Sequence, residues 1–83
     1  MNSAAPKFAD DTVPRFPELS VVRLVHDVAA MDWDGVERMF RAGSAGTVMG
    51  IYSVGDAYEV EFSEPFPGLV TLVDHDLTGG TAR

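Results

Sequence analysis

Residues 57–62 constrain the chain more than any other stretch. There Tyr58, Val60 and Phe62 alternate without a break with Ala57, Glu59 and Glu61. Successive side chains of a strand point to opposite faces, so this segment carries one apolar and one acidic face and reads as a half-buried strand. The dipeptide Gly55-Asp56 stands directly before it, a hairpin signal, and Thr47 to Ser53 supplies the first strand of the pair. Arg41 to Phe62 is therefore two consecutive strands joined by a tight turn, entered through Gly43 and Gly46.

The rest of the chain is arranged around that hairpin. Met1 to Pro17 is rich in Ala, Pro, Asp and Ser and has no period. It reads as a flexible N-terminal arm over 1–17, or as an arm that docks on a neighbouring subunit through Phe8, Val13 and Phe16. Glu18 to Val28 is the first strand, with Val22 and Leu24 inward, Arg23 and Val25 outside, and His26 at the inner strand end as a hydrogen-bonded structural residue. Ala29 to Gly43 does not continue the strand pattern. Asp34 stands where a helix cap would, Val36, Met39 and Phe40 fall at i, i+3, i+4, and Gly43 is a stop, which together predict one short amphipathic helix in an insertion over 29–42. After the hairpin, residues 63–68 hold two prolines and a glycine and form a turn. Leu69 to Val73 is a fourth strand, Leu77-Thr78 a short closing one, and 79–83 a tail. Four to five short strands with one helical insertion describe a small all-β antiparallel barrel over 18–78. Its expected core is Val22, Leu24, Val48, Ile51, Tyr58, Val60, Phe62, Val70, Leu72 and Leu77.

Composition narrows the function classes. A chain of 83 residues allows one domain with one modest core, and domains of that size often gain stability by self-association. There is no cysteine, hence no disulfide, thiolate zinc site or thiol nucleophile. The first residues lack an apolar core of signal-peptide length, and no apolar run nears the roughly 18 residues that span a bilayer. A cytoplasmic protein with no membrane partner is the expectation. The net charge is −7, and from Phe16 to Ala82 only Arg23, Arg38 and Arg41 stand against 11 acids. Phosphate contacts dominate nucleic-acid affinity, so such a chain is a poor nucleic-acid binder.

A longer pattern resembles a known family. It runs Glu18-Leu19-x-Val21-Val22-x-Leu24, Gly43-x-x-Gly46-Thr47-Val48, Ala57-Tyr58-Glu59-Val60-Glu61-Phe62 and Leu69-Val70-Thr71-Leu72. The order is similar to that of short bacterial proteins classed as a domain of unknown function, and it covers roughly Glu18 to Leu77. The resemblance implies an SH3-like barrel of about five strands and carries over no catalytic residue. Gly43-x-x-Gly46-x-Val48-x-x-Ile51 also looks like the glycine turn and strand of KOW-type barrels. Members of the bacterial family pass from the first strand to the glycine turn through a short loop of the type P-E-x-G-L. Here Ala29 to Met39 is several residues longer and carries Trp33. Some members lie beside toxin-like genes, so an antitoxin- or immunity-type partner of a toxin is an alternative role that the resemblance implies.

Candidate chemistry is sparse. Asp74-His75-Asp76 sets a histidine between carboxylates, but adjacent residues on an extended segment point apart, so a solvated or capping role is expected. Glu59 and Glu61 share a strand face and read as its wet side. Gly43 and Gly46 precede a strand, whereas phosphate-cradling loops open a helix. No catalytic set, metal or cofactor is expected. The reading is a non-enzymatic protein-interaction module that self-associates through residues 29–40, with Met31, Trp33, Met39 and Phe40 as contact residues and Tyr52 as a neighbour. The alternatives are a KOW-like nucleic-acid-associated barrel using Arg23, Arg38 and Arg41, and a small enzyme centred on His75.

Overall fold

The alternation at 57–62 forms the strand it predicts, at the middle of an antiparallel sheet. The computed structural model describes residues 14–79. The expected arm and tail fall outside them, except for 14–17 and 79, as do Phe8 and Val13. Seven strands follow one another: β1 (Val21–Leu24), β2 (Val28–Met31), β3 (Glu37–Phe40), β4 (Ala45–Tyr52), β5 (Ala57–Phe62), β6 (Gly68–Leu72) and β7 (Leu77–Gly79). A single 3-10 turn, Asp74–Asp76, precedes β7. Five strands form one sheet in the order β6-β5-β4-β1-β7, and β2 and β3 form a separate two-stranded ribbon. Every pairing is antiparallel. The fold is all-β.

One face of the five-stranded sheet supplies the core. Val22, Leu24, Val48, Tyr58, Val60, Phe62, Val70, Leu72 and Leu77 are buried there, and Ile51 packs against them partly buried. This is the core expected from the alternation, with Val22 and Leu24 inward as read. Two aromatic residues join it from outside the sheet. Phe16, assigned above to the arm, is only 6% exposed and meets Tyr58 edge-on at 5.4 Å between ring centroids. Phe40 comes from β3 and packs on Phe62 and Phe66, with ring centroids at 4.9 and 5.1 Å.

Two glycines set how closely these layers approach. A Cβ on Gly46 would lie 2.6 Å from Val60 Cγ1, so only glycine lets β4 cross β5 at that point. A Cβ on Gly68 would lie 3.0 Å from Phe40 Cζ and 3.5 Å from the Met31 carbonyl oxygen, which locates the ribbon against the start of β6. β4 carries a bulge between Val48 and Gly50. That extra residue leaves Met49 exposed while Val48 and Ile51 both face inward.

The helix expected within 29–42 does not form. Those residues make the β2–β3 ribbon, in register from Val28 opposite Phe40 to Met31 opposite Glu37. The i, i+3, i+4 spacing of Val36, Met39 and Phe40 fits a short helix, but a helix of that length is marginal without many bonds of its own. A hairpin satisfies the same backbone through cross-strand pairs, and the turn residues favour it. Gly35 takes φ +81°, a left-handed conformation open to glycine, so Asp34-Gly35 is a second hairpin dipeptide rather than a helix cap. The Gly55-Asp56 turn is also wider than its dipeptide indicates. Residues 53–56 form the loop, with the N–H groups of Gly55 and Asp56 both donating to the Tyr52 carbonyl at 3.0 and 2.9 Å.

Candidate functional site

The ribbon has two faces of different character because side chains alternate across it. Val28, Ala30 and Phe40 turn toward the core, while Met31 and Met39 point away. Met31 is 59% exposed, Trp33 58% and Met39 48%. Val36, in the turn region, is similarly exposed. Of the five residues predicted to make contacts, Met31 and Met39 thus share the outer face of the ribbon, and Trp33 is exposed in its turn. Phe40 is not among them: it has 0% exposure and closes the core under the ribbon. Its neighbour Met39 is outside for the same reason, since adjacent strand residues cannot share a face.

Tyr52 is not a neighbour of this surface either. It stands opposite Ala57, whereas Gly68, which the ribbon touches, stands opposite Phe62. Five residues of strand separate the two points, about 17 Å at the rise of a strand. Tyr52 belongs to a cluster on the outer face of the sheet. Its hydroxyl donates to Glu59 Oε1 at 2.8 Å, and Thr71 Oγ1 donates to the same oxygen at 3.0 Å. The carboxylate beside it raises the Tyr52 pKa. Glu59 is therefore engaged in the sheet's own surface network.

Asp32 holds the ribbon's turn, a role not among those expected from the sequence. Its Oδ1 accepts from the N–H groups of Asp34 and Val36 at 2.9 and 3.0 Å. Its Oδ2 accepts from Arg38 Nε at 2.8 Å. The Arg38 guanidinium also lies over the Phe66 ring at 4.9 Å. The guanidinium, and next the Val36 N–H, hold the Asp32 carboxyl below the usual carboxylate range. A cross-strand bond from the Asp32 N–H to the Val36 carbonyl at 2.9 Å completes the turn. The outer apolar surface is consequently presented on a braced hairpin. The one sequence signal that could have found this is Asp32 standing two residues before Asp34-Gly35, since an aspartate side chain can accept from the N–H two residues on as an Asx turn.

The remaining candidates disperse. In the 3-10 turn, Asp74 pairs with Arg15 at 3.2 Å and Asp76 with His26 Nε2 at 2.7 Å, while His75 is exposed. His26 Nδ1 faces the Asp27 carbonyl at 3.1 Å. That carbonyl first, and then the Asp76 carboxylate, raise the His26 pKa. Both ring nitrogens have acceptors, which fits the structural role expected for His26, although the ring lies exposed. Among the described residues no group of three His, Cys, Asp or Glu side chains is placed to hold a metal ion. Nor do the three arginines converge. Arg23 donates to the Gly43 carbonyl at 2.8 Å, Arg38 is bound to Asp32, and Arg41 lies 3.9 Å from Asp27. An open groove of about 510 Å³ runs along the outer face of the sheet between Arg23, Ser44, Ser63 and Glu64. Its lining includes side chains of both signs, Arg23 and Glu64. Among the described residues no helix is long and apolar enough to cross a membrane.

The family model for the domain of unknown function DUF4926 matches residues 18–65, a span that takes in β1 to β5 with both hairpins. No curated protein and no solved structure matches the chain.

Proposed function

The chain belongs to the family of the domain of unknown function DUF4926, and from that premise we propose that it is a non-enzymatic interaction module. It binds protein through the outer face of the β2–β3 ribbon and self-associates there. The architecture that carries the site is an SH3-like barrel, in which the ribbon covers the β6 side of the five-stranded sheet. Phe40 and the Met31 carbonyl both lie against Gly68 at that side, which supports this arrangement.

One observation carries the reading: Met31 and Met39 stand half-exposed on the outer face of the ribbon, and Trp33 is exposed in its turn, which Asp32 braces. Scattered exposed apolar residues are ordinary, but a cluster of large ones on one rigid element marks an interface. Tryptophan and methionine are also enriched in interface cores. The small size of the chain adds a physical reason, because association removes further apolar surface from water at about 25 cal/mol per Å².

Sedimentation of the intact chain beside the double variant Trp33→Ser, Met39→Ser tests this. Both side chains are exposed, so the variant should keep its fold, as its circular dichroism would show. The parent is expected to sediment as an oligomer at micromolar concentration and the variant as a monomer. A monomeric parent removes the self-association, and equal oligomers for both proteins place the interface elsewhere.

A further inference from the structure

The apolar face does not say how two copies would be arranged, but the backbone of β3 does. Among the described residues β3 pairs with β2 alone, leaving its other edge open. The Asp32 N–H bond to the Val36 carbonyl sets the phase of the ribbon's ladder. Hydrogen-bonded pairs recur every second residue of an antiparallel ladder, so Arg38 bonds to Ala30 and Phe40 to Val28. The N–H and C=O groups of Glu37 and Met39 therefore point away from β2, toward the open edge. We propose that this edge pairs with the same edge of a second copy, antiparallel, about a two-fold axis through Met39. The proposal rests on the self-association reading above and deepens it by naming the register.

Charge selects that register from its alternatives. With Met39 opposite Met39, Glu37 of each copy stands opposite Arg41 of the other, and both outward-facing backbone sets meet. Glu37 and Met39 lie on one face by strand alternation, and the pairing would extend it to Arg41, the residue just past β3, so that each cross-strand pair joins opposite charges flanking an apolar contact. Centring the axis on Glu37 or on Arg38 would set like charges opposite each other. Arg41 is available for such a contact: its side chain is 77% exposed and its distance to Asp27 is a loose 3.9 Å. The pairing also places the two Met39 side chains and the adjoining Ala29 residues in one continuous apolar strip. In a chain of net charge −7, two matched ion pairs at the contact matter because nonspecific encounter is repulsive.

The test uses the full chain and four single variants. Glu37→Arg alone and Arg41→Glu alone each set like charges across both pairs, and each is expected to weaken the dimer at least about tenfold by sedimentation. An equimolar mixture of the two variants restores it, because 37 and 41 then differ in sign across both pairs. That rescue separates lost pairing from lost folding. Since the chain has no cysteine, Met39→Cys gives a second readout. Opposed hydrogen-bonded residues sit about 5.5 Å apart at Cα, within disulfide range, so mild oxidation should cross-link the dimer through position 39. Met31→Cys should not cross-link, being three strand spacings of about 4.8 Å from its counterpart. A dimer that ignores both charge variants and cross-links at 31 rather than 39 overturns the edge pairing while leaving the apolar-face reading in place. A monomeric parent overturns both.

Discussion

Asp32 connects the turn of the ribbon to β3 with three hydrogen bonds, and Arg38 is the partner that depends on its charge. Because the folded pKa is depressed, the carboxylate contributes stability that is fully present above the ordinary aspartate value of about 3.9 and fades as pH falls through the lowered folded value. Asp32→Asn keeps an acceptor for the two backbone N–H groups and removes the charge. The expected outcome is a variant less stable than the parent at neutral pH, with the difference constant down to about pH 5 and shrinking below about pH 4. Denaturant melts across that range measure it; a difference that persists unchanged at pH 2 would mean the charge is not what Asp32 contributes. At the same scale Phe40 and Met39 show how one step along a strand decides a residue's role. Helical spacing puts them on one face, and the strand they form puts one in the core and the other in solvent.

Among the elements, those with period-two patterning were legible from the sequence. β5 forms at the residues expected, and β4, β6 and β7 differ from expectation by one or two residues at their ends. The first strand was read too long: Leu19 takes φ 71° and so stands outside β1. The β2–β3 ribbon was not legible, because eight strand residues split by a turn offer too few alternations to outweigh a helical spacing. The β4–β5 loop was legible in place but not in conformation. Ser53, Val54 and Gly55 all take positive φ there, at 46°, 53° and 116°. Glycine adopts such angles freely, but a β-branched residue does not, and the left-handed region costs an ordinary residue roughly 1–2 kcal/mol. Val54 is exposed and loses little packing on replacement. Val54→Asn, a residue that tolerates this region, is therefore expected to stabilise the protein by about 1 kcal/mol and raise Tm by about 4–8 °C. Val54→Ile keeps the branched Cβ and serves as the control: a gain of equal size there would show that the backbone angle is not the cause.

For the whole molecule, the segment before β1 matters more than its composition suggests. Pro, Ala and Asp without period gave no reason to place Phe16 in the core, and only the three-dimensional arrangement of β5 does so. The N–H groups of Arg15 and Phe16 both face the Tyr58 hydroxyl, at 3.1 and 3.4 Å, while the Phe16 ring packs on the Tyr58 ring. The Arg15 guanidinium lies over Phe16 at 4.7 Å and reaches Asp74 at 3.2 Å, though an exposed pair of that kind adds little. The sheet and this segment therefore share one core. Phe16→Ala is expected to cost roughly 3 kcal/mol, a large part of a total that for domains in general is roughly 5–15 kcal/mol. Tyr58→Phe keeps the ring, removes the acceptor and should cost roughly 0.5–1.5 kcal/mol per bond lost. If the segment docks as one unit, its release by Phe16→Ala leaves Tyr58→Phe with little further to remove. The double variant should then fall short of the sum of the singles by at least about 0.5 kcal/mol, the size of coupling found between contacting residues. Urea melts of the four proteins complete the cycle. Strict additivity would show that the Tyr58 hydroxyl and the Phe16 ring act separately, and that residues 14–17 do not dock on the sheet as one unit.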